Sequence, residues 1–354
     1  MIRFPKQTKQ HAQPAALALA AVFACSPAHA QSSVQLYGLV DASVGQFQNA
    51  GGVKLKRLDS GNLSTSYLGF KGSEDLGGGL RAGFTLESFF LVDSGGASRV
   101  PGVDAFWARN ANVHLAGGFG QLRLGRMAPP LFVSTLIFNP FGDSFGFSPA
   151  IRQYYNAPYG TPLVGDSGWN NAIGYSTPNF GGLSATVLVA AGEGAATAKG
   201  PNVGAHVLYF GGPVAFTAAW QKVEAQGTLG RPISAFAGFS SQTAYQMGGS
   251  YTLGAVKLFA QYGKISTDAS ADVDTTNIHL GASLKLGTGS LLASYGTSEI
   301  KTAGSSAKPK SKILSLGYVY SLSKRTDLYS VFMSDKYTAR TSGNTLALGV
   351  RHTF

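Results

Sequence analysis

The sequence predicts an all-β fold, a transmembrane antiparallel β-barrel of 16 strands. Three observations predict it. Apolar and polar residues alternate with period two along much of the chain. Seven tight turn signals punctuate that alternation, interleaved with longer polar connections. After residue 30, no apolar run approaches the roughly 18 residues that a spanning helix needs. Composition alone leaves a glycine-rich soluble sandwich open, since 47 of 354 residues are glycine and 13% are charged, so the turn pattern has to decide.

Residues 1–30 read as a cleavable signal peptide, and 31–354 as one barrel domain. Arg3, Lys6 and Lys9 form a positive head, residues 15–24 an apolar stretch, and Ala28-His29-Ala30 a small-x-small site before Gln31. Cys25 raises a lipoprotein alternative, but Val22-Phe23-Ala24 before it fits a lipobox poorly. Cleavage would remove Cys25, the only cysteine, and leave a mature chain without disulfides. It would also lower the net charge from +11 to +8 through loss of the three cations.

The first strand follows at once. Val34, Leu36, Val40, Ala42 and Val44 share one parity, and Gln35, Tyr37, Asp41 and Ser43 the other. Leu80, Ala82, Phe84 and Leu86 oppose Arg81, Thr85 and Glu87 in the same way, and Leu314, Leu316, Tyr318 and Tyr320 oppose Ser315. The last segment alternates through Leu346, Leu348, Val350 and His352 to the terminal Phe354. Residues 106–116 are anomalous, because Arg109 shares the parity of Ala111, Val113 and Leu115, while Asn110, Asn112 and His114 take the other face.

The tight turns fall at 75–79, 117–120, 179–182, 210–213, 252–254, 286–289 and 323–326. Glycine supplies the positive φ that most of them need. Between successive turns there is room for two strands and a longer connection, for example 192–202, 226–242, 265–275 and 300–311. Seven short turns joining eight hairpins give sixteen strands, with both termini on the short-turn side, an even number and an asymmetry typical of outer-membrane barrels. Closure pairs every backbone group within lipid, and a barrel this wide leaves an aqueous channel.

Other classes fit poorly. The basic residues are scattered, with a tight run only at Lys308, Lys310 and Lys312, so a nucleic-acid surface is not indicated. The mature histidines, His114, His206, His279 and His352, have no nucleophile motif nearby and no metal-ligand spacing, so neither an enzyme nor a cofactor is expected. An adhesin would call for long external loops or an added domain.

Several motifs resemble the general diffusion porins of β-proteobacteria. They are Gln35-Leu36-Tyr37-Gly38-Leu39-Val40-Asp41, the hairpin Leu68–Leu80, Phe119–Arg126, Asn139-Pro140-Phe141-Gly142-Asp143, Leu322–Tyr329 and Arg351-His352-Thr353-Phe354. Together they extend over essentially the whole mature chain. The resemblance implies a trimeric outer-membrane channel for passive diffusion of small hydrophilic solutes and ions. It also implies a third long loop folded into the lumen, and Phe354 as an assembly signal. Lipopolysaccharide is the expected membrane partner; on charge alone the basic residues Lys308 to Lys312 are candidates for its phosphates, a role the sequence leaves open.

The third loop is the longest stretch without alternation, residues 129–168, and is rich in aromatics with three charges, Asp143, Arg152 and Asp166. Relatives set loop acids against wall cations at the narrow point. Here Arg109 matches one wall arginine, while the other matching positions carry Leu39, Tyr67 and Gly168. Asp143 is retained, Pro140 replaces a loop acid, and Arg152 is a candidate to restore a positive charge. The expected constriction therefore comprises Arg109, Asp143, Arg152, Tyr67, Leu39 and Phe141. The expected pore wall includes Lys71, Arg81, Glu87, Arg126 and Arg351. Such an eyelet is less polarised and more aromatic than the family norm, with modest ion selectivity. A substrate-specific channel is the alternative.

Overall fold

The computed structural model describes residues 33–99, 102, 104–156, 162–191, 200–225 and 236–354. The expected signal peptide lies outside them, as do parts of the connections at 192–202 and 226–242. One closed antiparallel sheet runs around the molecule. Its first segments are β1 (Ser33–Phe47), β2 (Leu55–Ser60), β3 (Tyr67–Gly77), β4 (Leu80–Phe89), β5 (Asn110–Gly117) and β6 (Gly120–Met127). Then follow β7 (Trp169–Ser176), β8 (Leu183–Ala190), β9 (Asn202–Gly211), β10 (Val214–Glu224), β11 (Ser241–Leu253) and β12 (Val256–Asp268). The last are β13 (Val273–Leu286), β14 (Gly289–Thr302), β15 (Lys310–Ser321), β16 (Thr326–Tyr337) and β17 (Gly343–Thr353).

Seventeen segments fill sixteen positions. β2 and β3 both pair with β1, the first from Phe47↔Leu55 to Ala42↔Ser60 and the second from Leu39↔Tyr67 to Ser33↔Ser73. They share one stave, broken by residues 61–66. The break is held by Asp41, which is fully buried and accepts hydrogen bonds from the Tyr329 hydroxyl (2.9 Å) and the Ser64 amide (3.3 Å). Ser66 Oγ in turn accepts from the Asp41 amide at 2.9 Å. Closure comes from β1 and β17, whose register runs from Leu39↔Thr353 to Gln46↔Leu346.

All seven predicted tight turns join neighbouring strands at one end, where both β1 begins and β17 ends. At the other end two connections are shorter than expected. Pairing reaches Thr267↔Val273 across the first and Glu299↔Lys310 across the second, so only 269–272 and 303–309 lie outside the strands. The barrel wall is simply taller there.

Parity separates the faces. Exposed Leu314, Leu316, Tyr318 and Tyr320 alternate along β15 with buried Ser311, Ile313 and Ser315. β10 does the same, with Val214, Phe216 and Trp220 outside and Thr217, Ala219 and Gln221 inside. An apolar exterior and a polar interior invert a soluble protein, because lipid rather than water bathes the outer surface. The anomaly around residue 109 resolves here. The strand begins at Asn110, so Arg109 precedes it and is free of its alternation, and exposed Val113 marks the outer face while Asn112 is buried inside.

Candidate functional site: a constriction lined by the third loop

The connection between β6 and β7 contains two short helices that periodicity does not reveal, α1 (Pro130–Ile137) and α2 (Pro149–Tyr155). Each is too short to show an amphipathic repeat, but both starts carry a signal. Pro130 and Pro149 occupy the first turn, where a missing N–H costs nothing, and Ser148 caps α2 by accepting from the Ile151 amide.

Both helices lie against inward-facing wall residues. Ser134 Oγ is 3.0 Å from His206 Nδ1 and 2.9 Å from Thr217 Oγ1. Gln153 Nε2 donates to Ser311 Oγ at 2.9 Å, and Ser315 Oγ donates to the Phe147 carbonyl at 2.6 Å. Leu131, Ile151, Tyr154 and Tyr155 pack on Ala219, Ala244 and Ile265. Phe141 and Phe147 pack on Tyr329, Val331 and Ala347. The wall is carved to receive them. A Cβ at Gly263 would collide with the Tyr154 hydroxyl, and one at Gly296 would sit 2.7 Å from Gln153 Oε1. Buried His206, and buried His279 with its Nε2 2.9 Å from Gln153 Oε1, thus hold the loop, which is a role no motif announces.

Two residues expected at the constriction are anchors instead. Phe141 is 3% exposed within the loop–wall core. Arg152 is 5% exposed and pairs with fully buried Asp335 at 3.4 Å, also reaching Asn49 Oδ1 at 2.8 Å. Its charge is spent on Asp335, 183 residues away, so it restores no free charge to the pore. Leu39 is also buried, beside Tyr67 in register.

Arg109, Tyr67, Glu87 and Asp143 do converge. The Arg109 guanidinium stacks 4.0 Å from the Tyr67 ring centroid and pairs with Glu87, which also accepts from Asn110 and, at 2.6 Å, from the Tyr37 hydroxyl. Asp143 accepts from Ser64 Oγ at 3.0 Å, and Ser64 Oγ lies 3.0 Å from Arg351, itself paired with Asp327 at 2.7 Å. Arg351, expected as an ordinary wall residue, is therefore coupled to the loop acid. The inward break at 61–66 makes this possible, and no local signal marks it. A cavity of about 340 Å³ lies between Arg109, Asn110 and Thr65 on the wall and Phe132, Leu136, Asp143 and Phe145 on the loop. The loop side is mostly apolar apart from Asp143.

The remaining wall residues spread out. Lys71 lies 4.7 Å over the Tyr37 ring, and Arg81 is exposed on the inner face near a turn. Arg126, at a register shift between Gly125 and Met127, donates to the Gly168 carbonyl (3.1 Å) and Asn170 (2.6 Å), tying the loop's end to the wall. Gly168 is the floor under that guanidinium. Arg99, unnoticed in the sequence, straps the second long connection to the loop. It lies 5.2 Å and 5.1 Å over Phe89 and Phe145 and pairs with Asp166 at 3.3 Å.

Residues 15–340 match the family described as Gram-negative porin. This chain is a member of that family. It is 35% identical over 333 residues to outer membrane porin protein 32 of Delftia acidovorans, covering 90% of this chain and 89% of that one. The anion-selective porin from Comamonas acidovorans superposes with a TM-score of 0.75 at 29% identity, covering 92% of this porin and all of the other. A trimer form of OmpT, an outer membrane protein of Vibrio cholerae, gives 0.68 at 15% identity over 91% and 99% of the chains, a likeness of fold alone. The porin is a multi-pass barrel of the outer membrane and forms a water-filled channel for small solutes.

Proposed function

We propose that this porin is a trimeric general diffusion channel with a weakly polarised constriction at Arg109, Tyr67 and Asp143, and with only a mild preference for anions. The pairing of charges at the narrow level carries the reading. Arg109 faces Glu87 and Arg351 faces Asp327, and Asp143, held by Ser64 Oγ, adds a single acid, so only a weak field remains across the eyelet. The mild preference comes from the vestibule on the turn side. Strand parity turns Lys71, Arg81, Arg123, Lys257 and Lys285 inward there, against Asp75, since Asp327 is already matched by Arg351. Fixed cations raise the local concentration of anions in the mouth of a pore.

Support for anion preference also comes from the similarity to the anion-selective Comamonas porin, and support for the trimer from the trimer form of the Vibrio protein. The partners are then two further copies of the chain and the lipopolysaccharide of the outer leaflet. Planar-bilayer recording of the refolded mature chain in a potassium chloride gradient tests the reading. Ohmic steps arriving in threes, with a small anionic reversal potential, are expected. Strong cation selectivity would refute the vestibule argument, and small currents blocked by one solute class would refute general diffusion.

A further inference from the structure

The wall and the third loop enclose another cavity, of about 430 Å³, on the loop-end side of the constriction. Strand β2 supplies one edge of it. Val44 and Leu58 are opposite in register and both exposed on the lipid face, so Arg57 and Asp59, at the alternate positions of β2, point into the barrel. Both line the cavity, and they form an ion pair at 2.8 Å. The pair is accessible, with side chains 48% and 22% exposed. The Arg57 guanidinium lies 5.3 Å from the Phe47 ring centroid, and among the described residues its one hydrogen bond runs from Nη2 to Asp59 Oδ2. The other donors of the guanidinium fork and Asp59 Oδ1 are left for a ligand.

The rest of the lining is apolar or already matched. Phe47, Leu55, Phe90, Leu91, Phe145 and Met333 form an apolar wall. Arg99 and Arg152 also reach the cavity, but each is bound to an acid, Asp166 at 3.3 Å and Asp335 at 3.4 Å. What the cavity offers is therefore an oriented pair, cation beside anion, at the edge of an apolar surface. Its walls are fixed before any solute arrives. Ser60 Oγ accepts from the Val92 amide at 2.9 Å and the Ser66 carbonyl from the Phe90 amide at 3.1 Å, which ties the chain after β4 beside β2. The Asn62 carbonyl accepts from Ser144 Oγ at 2.6 Å and from the Gly146 amide at 3.1 Å, which ties down the loop. A preformed cavity of this size suits a small solute, because little ordering is left to be done on binding.

We propose that this cavity is a retention site for α-amino acids with an apolar side chain. The carboxylate meets Arg57, the ammonium meets Asp59, and the side chain lies against Phe47, Phe90 and Phe145. A solute with a single charge meets a repulsive group 2.8 Å from its attractive one, whereas a zwitterion satisfies both. The site stands ahead of the constriction, so it delays a passing solute without making the channel specific. It rests on the open channel and not on ion preference, which the reversal potential reads separately.

The test is current-fluctuation analysis of single channels of the refolded mature porin, with L-leucine as the probe. Saturable excess noise is expected. Isocaproate lacks the ammonium and isoamylamine lacks the carboxylate, and each should bind wild type roughly tenfold more weakly than leucine. Glycine, without the side chain, should lose about as much. R57Q and D59N should each weaken leucine binding roughly tenfold. Potassium chloride conductance checks that each variant assembles, and the control solutes need no variant at all. R109Q, at the eyelet, should leave leucine binding within about twofold of wild type. The proposal is overturned if leucine gives no saturable noise, if a control solute matches it, or if R57Q and D59N bind it like wild type. It is also overturned if R109Q weakens leucine as much as R57Q does, which would put the solute at the eyelet.

Discussion

Replacing Arg152 with methionine removes the cation that compensates the buried carboxylate of Asp335. Asp335 is fully buried, and its other hydrogen bond is to the Ala50 amide at 3.3 Å. Breaking a buried pair by removing one partner costs about 3–5 kcal/mol. The aqueous lumen lies close by, so about 3 kcal/mol is the working figure. That shifts the balance between anchored and released loop by a factor on the order of 100. A released state at roughly 0.1% would rise to roughly 10%, enough to be seen as flicker in single-channel traces. The barrel itself should stay folded, because the cost falls on the loop's attachment. D335N should be milder, since an amide oxygen still accepts from Ala50 and Arg152. The pair R152M/D335L should return the channel to quiet, because an apolar pair of similar size leaves no uncompensated charge. Asp335 Oδ1 already lacks a partner, which favours that outcome. An R152M channel as quiet as wild type, or a double variant noisier than R152M, would refute the anchoring argument.

Other expectations follow from the same geometry. G263V places a branched side chain where the Tyr154 hydroxyl sits, so thermal unfolding should shift down by an amount corresponding to about 1–3 kcal/mol, with altered conductance from a displaced loop. R109Q leaves Glu87 without its cation, so the reversal potential should move toward cations; no movement would place the pair outside the ion path. L316R puts a charge on the lipid face at a cost of about 2–4 kcal/mol, and the folded fraction in vesicles, read by heat-modifiable mobility, should fall. F354A should slow assembly while leaving the assembled channel intact. The Phe354 backbone exchanges hydrogen bonds with Gly38 at 3.2 and 3.1 Å whatever its side chain, and its ring lies over Gly38 with its outer side exposed.

The barrel, its sixteen positions, the seven tight turns and the place of the third loop are legible in the chain. Those features are local. Period-two alternation reports a sheet with two unlike faces, and turn residues report themselves within four positions. The chain's motifs also locate Arg109, Tyr67 and Asp143. Only the tertiary structure decided which charges remain free in the pore. Arg152 looked like a pore cation until the register of β16 brought Asp335 beneath it, and Phe141 looked available until Tyr329 and Val331 covered it. The inward break at 61–66 depends on Asp41 meeting Tyr329, 288 residues away. Gly263 and Gly296 lie outside the tight turns, and they are seats for loop side chains. In each case the deciding partner lies across the barrel, where closure sets the neighbours and no short-range pattern in the chain records them.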